Sequence, residues 1–79
     1  MSFFDQLNRL QRIHQLISQE ATGTPDELAR RFGLQKRQVY NILDELREKG
    51  AIIEFDHTRR TYYYVEDFEF EIKIRPVRH

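Results

Sequence analysis

Apolar residues recur at intervals of three and four through the first half of the chain, the spacing that gives a helix one apolar face. The pattern predicts a first helix over about 2–19, a second over 25–32 and a third over 35–49. The apolar stripe of the first helix consists of Phe3, Leu7, Leu10, Ile13, Leu16 and Ile17. Three such faces predict one shared helical core.

Residues that favour helix ends mark the limits of the second and third helices. Thr24 is suited to cap a helix start, Pro25 to occupy its first position, and Glu27 to complete a capping box. Gly33 and Gly50 follow the second and third helices, where glycine takes the left-handed conformation that ends a helix.

The second half of the chain changes to an alternation of apolar and polar residues, which is typical of strands. It predicts two strands over about 52–56 and 61–65, joined by the loop 57–60. A further strand is predicted over about 68–74, with an apolar face made of Phe68, Phe70, Ile72 and Ile74. This strand either joins the sheet and covers the core or pairs with another copy, so a homodimer through it is one hypothesis.

Ala29 and Gly33, four residues apart, suit the close approach of two helices across a tight turn. With the surrounding apolar residues they match a helix-turn-helix. The predicted fold is therefore α+β: a winged helix-turn-helix with a three-helix core, a β-hairpin wing and an extra C-terminal strand, forming a single domain over 1–79. The alternative is an ordinary corner of a three-helix bundle.

Composition limits the classes of function. The 79 residues suffice for one small domain, and 13 basic and 13 acidic residues give a formal net charge of zero. The absence of cysteine excludes disulfides and thiolate catalysis and fits a cytoplasmic location. No apolar run reaches the roughly 18 residues of a membrane span, so no membrane association is expected.

The residues that carry enzyme chemistry are scattered. His14, His57 and His79 do not have metal-ligand spacing, and the three glycines form no phosphate-binding loop. No serine, histidine and acid arrangement indicates nucleophilic catalysis. We expect no catalytic residues, no metal and no cofactor.

The outer face of the third helix divides into two halves. Its second half is acidic, with Asp44, Glu45 and Glu48. Acids facing phosphates would repel them, so we expect only the first half to enter a DNA major groove, where Arg37 can bind guanine and Gln38 or Asn41 adenine. The hydrogen-bond donors of that first half are Lys36, Arg37, Gln38, Tyr40 and Asn41.

The hairpin loop carries His57, Arg59 and Arg60, which can contact phosphates or a minor groove; alternatively they only keep the turn soluble. We place the acidic residues of the rest of the chain outside these elements, so that zero net charge conceals a dipolar molecule. Those residues are Asp5, Glu20, Glu66, Asp67, Glu69 and Glu71.

The stretch TPDELARRFGLQKRQVYNILDELREKGAIIEFD resembles the N-terminal winged helix-turn-helix of bacterial WYL-domain and DeoR-type transcription regulators. The resemblance covers roughly Leu7 to Val65. It implies that Thr24 is a phosphate-contacting cap and that the wing follows Asp56. It also implies that bases and phosphates are read by Lys36, Arg37, Gln38 and Asn41.

Two functions follow from these patterns. The first is a small regulator that binds double-stranded DNA sequence-specifically as a homodimer and acts by occupancy, with no small-molecule effector. The second is a winged helix that serves as a protein-protein interaction module, since a fold does not fix its function. The neutral charge and the acidic half of the third helix favour the second; the clustered donors favour the first.

Overall fold

A computed structural model describes residues 2–70 of the chain. Three helices come first: α1 (Phe3–Ser18), α2 (Pro25–Phe32) and α3 (Lys36–Glu48). An antiparallel hairpin follows, made of β1 (Ile53–Asp56) and β2 (Thr61–Tyr64). The predicted three-helix core and hairpin are confirmed, and the architecture is an α+β winged helix.

Side-chain caps start the first two helices, and the predicted cap and glycine of the second are confirmed. At the start of α1 the Ser2 hydroxyl accepts a hydrogen bond from the Asp5 N–H, 3.2 Å away. At the start of α2 the Thr24 hydroxyl accepts from the Glu27 N–H, and the Glu27 carboxylate accepts from the Thr24 N–H, which completes a capping box. Gly33 ends α2 with a φ of 65°, in the left-handed region.

The core lies where the apolar faces of the helices meet the inner face of the hairpin. The stripe of α1 is buried at Ile13 and Ile17, whereas Phe3 at its start is 60% exposed. Each fully buried aliphatic side chain contributes about 1.5–3 kcal/mol to folding. The buried core residues are Ile13, Ile17, Leu28, Ala29, Val39, Ile42, Leu43, Leu46, Ala51, Ile53 and Tyr62.

The hairpin alternates its side chains between the core and solvent. Tyr62 is buried opposite Phe55, while Tyr63 lies on the outer face and its hydroxyl donates to the Glu54 carboxylate at 3.1 Å. The loop 57–60 is shaped by Asp56, whose carboxylate accepts hydrogen bonds from two backbone N–H groups of the loop, at 2.9 and 3.1 Å. The outer face and loop are therefore the parts of the hairpin available for binding.

Two buried threonines join the α1–α2 loop to the hairpin. The Thr22 hydroxyl accepts from the Tyr62 N–H at 2.9 Å and donates to the Gly23 carbonyl at 2.8 Å. The Thr61 hydroxyl accepts from the Thr22 N–H at 3.1 Å and donates to the Tyr62 carbonyl at 2.9 Å. We call these residues the threonine junction. It fixes the hairpin relative to the start of α2.

The chain after β2 differs from its prediction. Residues 68–70 form no strand, so the predicted strand over 68–74 is wrong for these positions; Ile72 and Ile74 lie outside the described residues. After a bend at residues 65–66, Phe68 and Phe70 pack against His14 of α1, with ring centroids 6.2 and 5.1 Å away. Their alternation places both rings on the core without a partner strand.

Candidate nucleic-acid interface

The first half of α3 presents its polar side chains to solvent. Its apolar residues, from Val39 to Leu46, face the core, and this fixes the opposite face outward. Tyr40 is 44% exposed. Burial, and then the neighbouring Tyr40, raises the pKa of Tyr62 in the hairpin. All five predicted contact residues of this half are exposed: Lys36, Arg37, Gln38, Tyr40 and Asn41.

Two of these side chains already have partners within the protein. The Gln38 carbonyl oxygen accepts a hydrogen bond from the Gln35 N–H at 2.8 Å and so helps to start α3. Its NH₂ group can still donate to a base. Lys36 Nζ lies 3.5 Å from Asp26 Oδ1, which links the first residue of α3 to the first turn of α2. Arg37 and Asn41 have no polar side-chain partner within residues 2–70.

The second half of α3 is acidic on its exposed face, and Asp44 there is paired with a cation. Arg47 Nη1 lies 3.2 Å from Asp44 Oδ1, and Nη2 donates to the Ile53 carbonyl at 3.0 Å. Arg47 thereby ties the end of α3 to β1 and offsets one carboxylate. Glu45 and Glu48 are also exposed, so an approaching phosphate backbone would meet net negative charge at this end.

The hairpin loop carries its three predicted contact residues on the surface. The His57 ring packs edge-on against Phe55, with centroids 5.0 Å apart. Arg59 forms an ion pair with Glu20 in the turn after α1. Glu20 was expected to lie away from the contact elements, and that expectation is wrong: a left-handed backbone, with a φ of 56°, places it against the wing. Arg60 is exposed in the same loop.

The start of α2 lies close to the wing loop. The Thr24 hydroxyl donates to Glu27 Oε1 at 3.0 Å. This hydrogen bond, then the one from the Thr24 backbone, and then the charges of Arg60 and Arg30 lower the pKa of Glu27. The hydrogen bonds of Thr22 to Thr61 and Tyr62 bring the residues before the α2 cap to the start of β2, beside the wing loop. The fold also bonds the Thr24 hydroxyl to a carboxylate, where the resemblance implied a phosphate.

Sequence reasoning missed the residues that hold these elements in place. Thr22 and Thr61 are each 2% exposed, yet threonine in a loop and at a strand start is ordinarily a surface residue. The Glu20 and Asp26 ion pairs join residues that come together only in the fold. Only Asp26 carried a signal in the sequence, because an acidic residue in the first turn of a helix interacts favourably with the helix dipole. That signal does not identify the cation with which it pairs.

The described residues show neither a metal centre nor a membrane helix. Within residues 2–70 no group of three or more histidine, cysteine or acidic side chains could hold a metal ion. No helix in this part of the chain has both the length and the apolar character needed to cross a bilayer.

Comparison with known proteins identifies a family of transcriptional regulators. Residues 14–69 match the family model described as "Sugar-specific transcriptional regulator TrmB", whose matched part is a winged-helix DNA-binding domain. No curated protein and no solved structure gives a significant match. The family consists of transcriptional regulators rather than enzymes.

Proposed function

Because the chain belongs to the TrmB family of transcriptional regulators, we propose that it binds double-stranded DNA sequence-specifically as a small regulator. One observation carries the sequence-specific part. The first half of α3 exposes five hydrogen-bonding side chains on the face opposite its buried residues. Recognition helices of winged and related folds place such residues against base edges.

The roles we propose follow from side-chain chemistry. Arg37 donates two parallel hydrogen bonds to a guanine, and Asn41 pairs with an adenine. Gln38 donates through its NH₂ group, since its carbonyl oxygen is used in the helix start. Base readers of this kind discriminate between sequences, with each good bidentate pair worth about 1–3 kcal/mol.

Other side chains would contact the DNA backbone. We propose that Lys36, Tyr40 and Thr24 bind phosphates beside the groove, and that the wing residues His57, Arg59 and Arg60 bind the backbone or the adjacent minor groove. The exposed acids in the second half of α3 repel phosphates. The helix therefore enters the groove by its N-terminal end.

The test is a pair of substitutions in the reading helix. Arg37→Ala with Asn41→Ala should abolish preference for the selected sequence while the fold remains intact. A site is first selected from random duplexes, and binding to it and to a scrambled duplex is then measured by fluorescence anisotropy. Lys49→Ala is the matched control, since this exposed cation lies at the far end of α3. Preserved preference in the double variant contradicts the assignment of the reading helix.

We also propose that the protein acts as a homodimer on DNA, because one small domain offers only about four to six phosphate contacts. The proposed interface consists of Phe68, Phe70, Ile72 and Ile74. Phe68 and Phe70 pack against the core of their own chain, so these two side chains are less available to a second copy. Sedimentation at high micromolar concentration, with and without a two-site duplex, tests the dimer. A strict monomer under both conditions contradicts it.

Regulation by occupancy, without a small-molecule effector bound by this chain, is part of the proposal. The regulators of this family are described as sugar-specific, so sugars are the ligands to test first. Calorimetric titration with mono- and disaccharides should give no binding heat, and saturable binding contradicts this part.

We propose that the protein lies in the cytoplasm, together with the genome. The closer likeness to WYL-domain and DeoR-type regulators also stays a proposal.

A second function is favoured by the acidic half of α3 and the zero net charge. In that case the winged helix binds another protein and not DNA. The two functions separate in one experiment, because DNA affinity should fall steeply with salt if phosphates are bound. Failure to bind mixed duplex DNA at low salt favours the protein-binding function.

A further inference from the structure

Two cations that would face phosphate are paired with carboxylates in the free protein. Lys36 Nζ lies 3.5 Å from Asp26 Oδ1, and Arg59 is paired with Glu20. Both cationic side chains remain at least half exposed, so solvent and other anions can reach them. Exposed ion pairs of this kind are weak and exchange readily.

Glu20, in the turn after α1, holds Arg59 of the wing loop in an ion pair. Glu20 is only 35% exposed, and its charge is among the influences that raise the pKa of Tyr63, after a hydrogen bond from that phenol to Glu54. Its carboxylate therefore lies near the hairpin, where it pairs with Arg59.

Asp26 stands at a second point where phosphate would bind. It is in the first turn of α2, where unbonded N–H groups and the helix dipole attract anions. Glu27 in the same turn accepts hydrogen bonds from Thr24. Protein carboxylates thus occupy both the cations and the helix start that a DNA backbone would use.

We propose that Glu20 and Asp26 compete with DNA phosphates for Arg59 and Lys36, and so lower the affinity of the free domain for DNA. The inference rests on the proposed function. When DNA binds, each cation exchanges its carboxylate for a phosphate, and the released acid is left near the phosphate backbone. Affinity that depends on the backbone alone is reduced, whereas base contacts by Arg37 and Asn41 are not opposed. Because Lys36 and Arg59 contact phosphates in any duplex, the competition lowers specific and non-specific affinity alike.

Neutral variants of the two acids test the competition. Glu20→Gln and Asp26→Asn should each tighten binding to a mixed-sequence duplex about 2- to 5-fold, the range expected for losing one exposed ion pair. Together they should tighten it about 10-fold. Glu66→Gln is the matched control, because it removes one negative charge from the bend after β2, away from the loop. It should change the dissociation constant less than 2-fold. Circular dichroism checks that each variant is folded.

A double-mutant cycle assigns the gain to the pair. In an Arg59→Ala background, Glu20→Gln should give no further tightening, since the cation that it releases is absent. The inference is overturned if Glu20→Gln and Asp26→Asn tighten DNA binding no more than Glu66→Gln does. It is also overturned if either variant binds DNA more weakly than wild type, which would mean that the acids position the cations. If wild type binds DNA and the variants match the control, only this inference fails. If no protein of the set binds DNA, the proposed function fails with it.

Discussion

The threonine junction and the first half of α3 use polar side chains in opposite ways. At the junction, Thr22 and Thr61 are each 2% exposed, and both hydroxyls donate and accept within the protein. On α3, the Arg37 and Asn41 side chains are exposed and have no polar partner within residues 2–70. Polar groups satisfied inside the protein set its geometry, and those without a protein partner at the surface are available for binding.

This difference predicts which substitutions cost stability and which cost only binding. Changes in the core and junction should lower the free energy of unfolding. Changes on the exposed first half of α3 should alter the free energy of unfolding by no more than about 0.5 kcal/mol, as is usual for exposed positions. The predictions below run from the largest expected loss of stability to the smallest.

Leu28→Ala should cause the largest loss, about 2–5 kcal/mol, because it removes a fully buried side chain and leaves a cavity. A domain of this size has only about 4–12 kcal/mol in total, so thermal unfolding followed by circular dichroism should show a large fall in Tm. Ile52→Ala is the control, since Ile52 is 51% exposed and should lose less than about 1 kcal/mol. Equal losses in both variants would contradict the assignment of the core.

Thr22→Val should cost about 1–3 kcal/mol, because it keeps the shape but leaves the buried Tyr62 N–H and Gly23 carbonyl without their partner. Urea unfolding of Thr22→Val is compared with that of Thr58→Val in the exposed wing loop, which should change stability by less than about 0.5 kcal/mol. If Thr22→Val is as stable as wild type, the junction does not fix the hairpin.

Gly33→Ala should cost about 1 kcal/mol, the strain of a left-handed alanine. The loss should come from backbone conformation alone, because a Cβ at this position would meet no atom within 4 Å. Gly33→Asn is the matched variant, and it should lose less, since asparagine tolerates this conformation better. Chemical denaturation measures both, and equal losses would indicate that something other than φ decides the substitution.

His14 should give the smallest effect, a pH dependence of stability. Burial lowers its pKa from 6.5, with a smaller opposing effect of Glu69, and Tyr64 Oη lies 2.7 Å from its Nδ1. Burial raises the pKa of Tyr64 to about 12, so that hydroxyl stays protonated and can donate. Well above pH 6.5 the ring is neutral in the folded and unfolded states alike. As the pH falls below 6.5, the unfolded chain is protonated first and stability is lost.

The measurement compares urea midpoints at pH 7.5 and pH 5.5. His14→Gln should reduce the loss seen in wild type on acidification, whereas the exposed control His57→Gln should retain it. A loss of the same size in all three proteins would show that other groups cause it.

The sequence predicted those parts of the fold that depend on local residues. Thr24, Pro25 and Glu27 predicted the start of α2, and Gly33 predicted its end, because capping acts between residues close in the chain. The exposed half of α3 followed from helical spacing in the same way. Local pattern therefore sufficed for the helices and for the face that we propose reads DNA.

The spacing of apolar and polar residues along the chain could not predict contacts between its distant parts. Thr22 and Thr61 carry no local signal for burial, and the pairing of Glu20 with Arg59 depends on a fold that brings α1 to the hairpin. The alternation from Phe68 onward also fits a strand, but the rings at 68 and 70 pack against His14. Spacing shows that two side chains share a side, and tertiary packing decides what lies there.

Binding to mixed duplex DNA across a salt series tests the central claim most directly. With about four to six phosphate contacts per domain, the logarithm of the binding constant should fall linearly against the logarithm of salt concentration, with a slope of about −4 to −5 for each domain bound. Between 50 and 200 mM salt this is a loss of about 10²- to 10³-fold. No binding at the lowest salt, or binding that does not change with salt, would contradict a DNA-binding function for this winged helix.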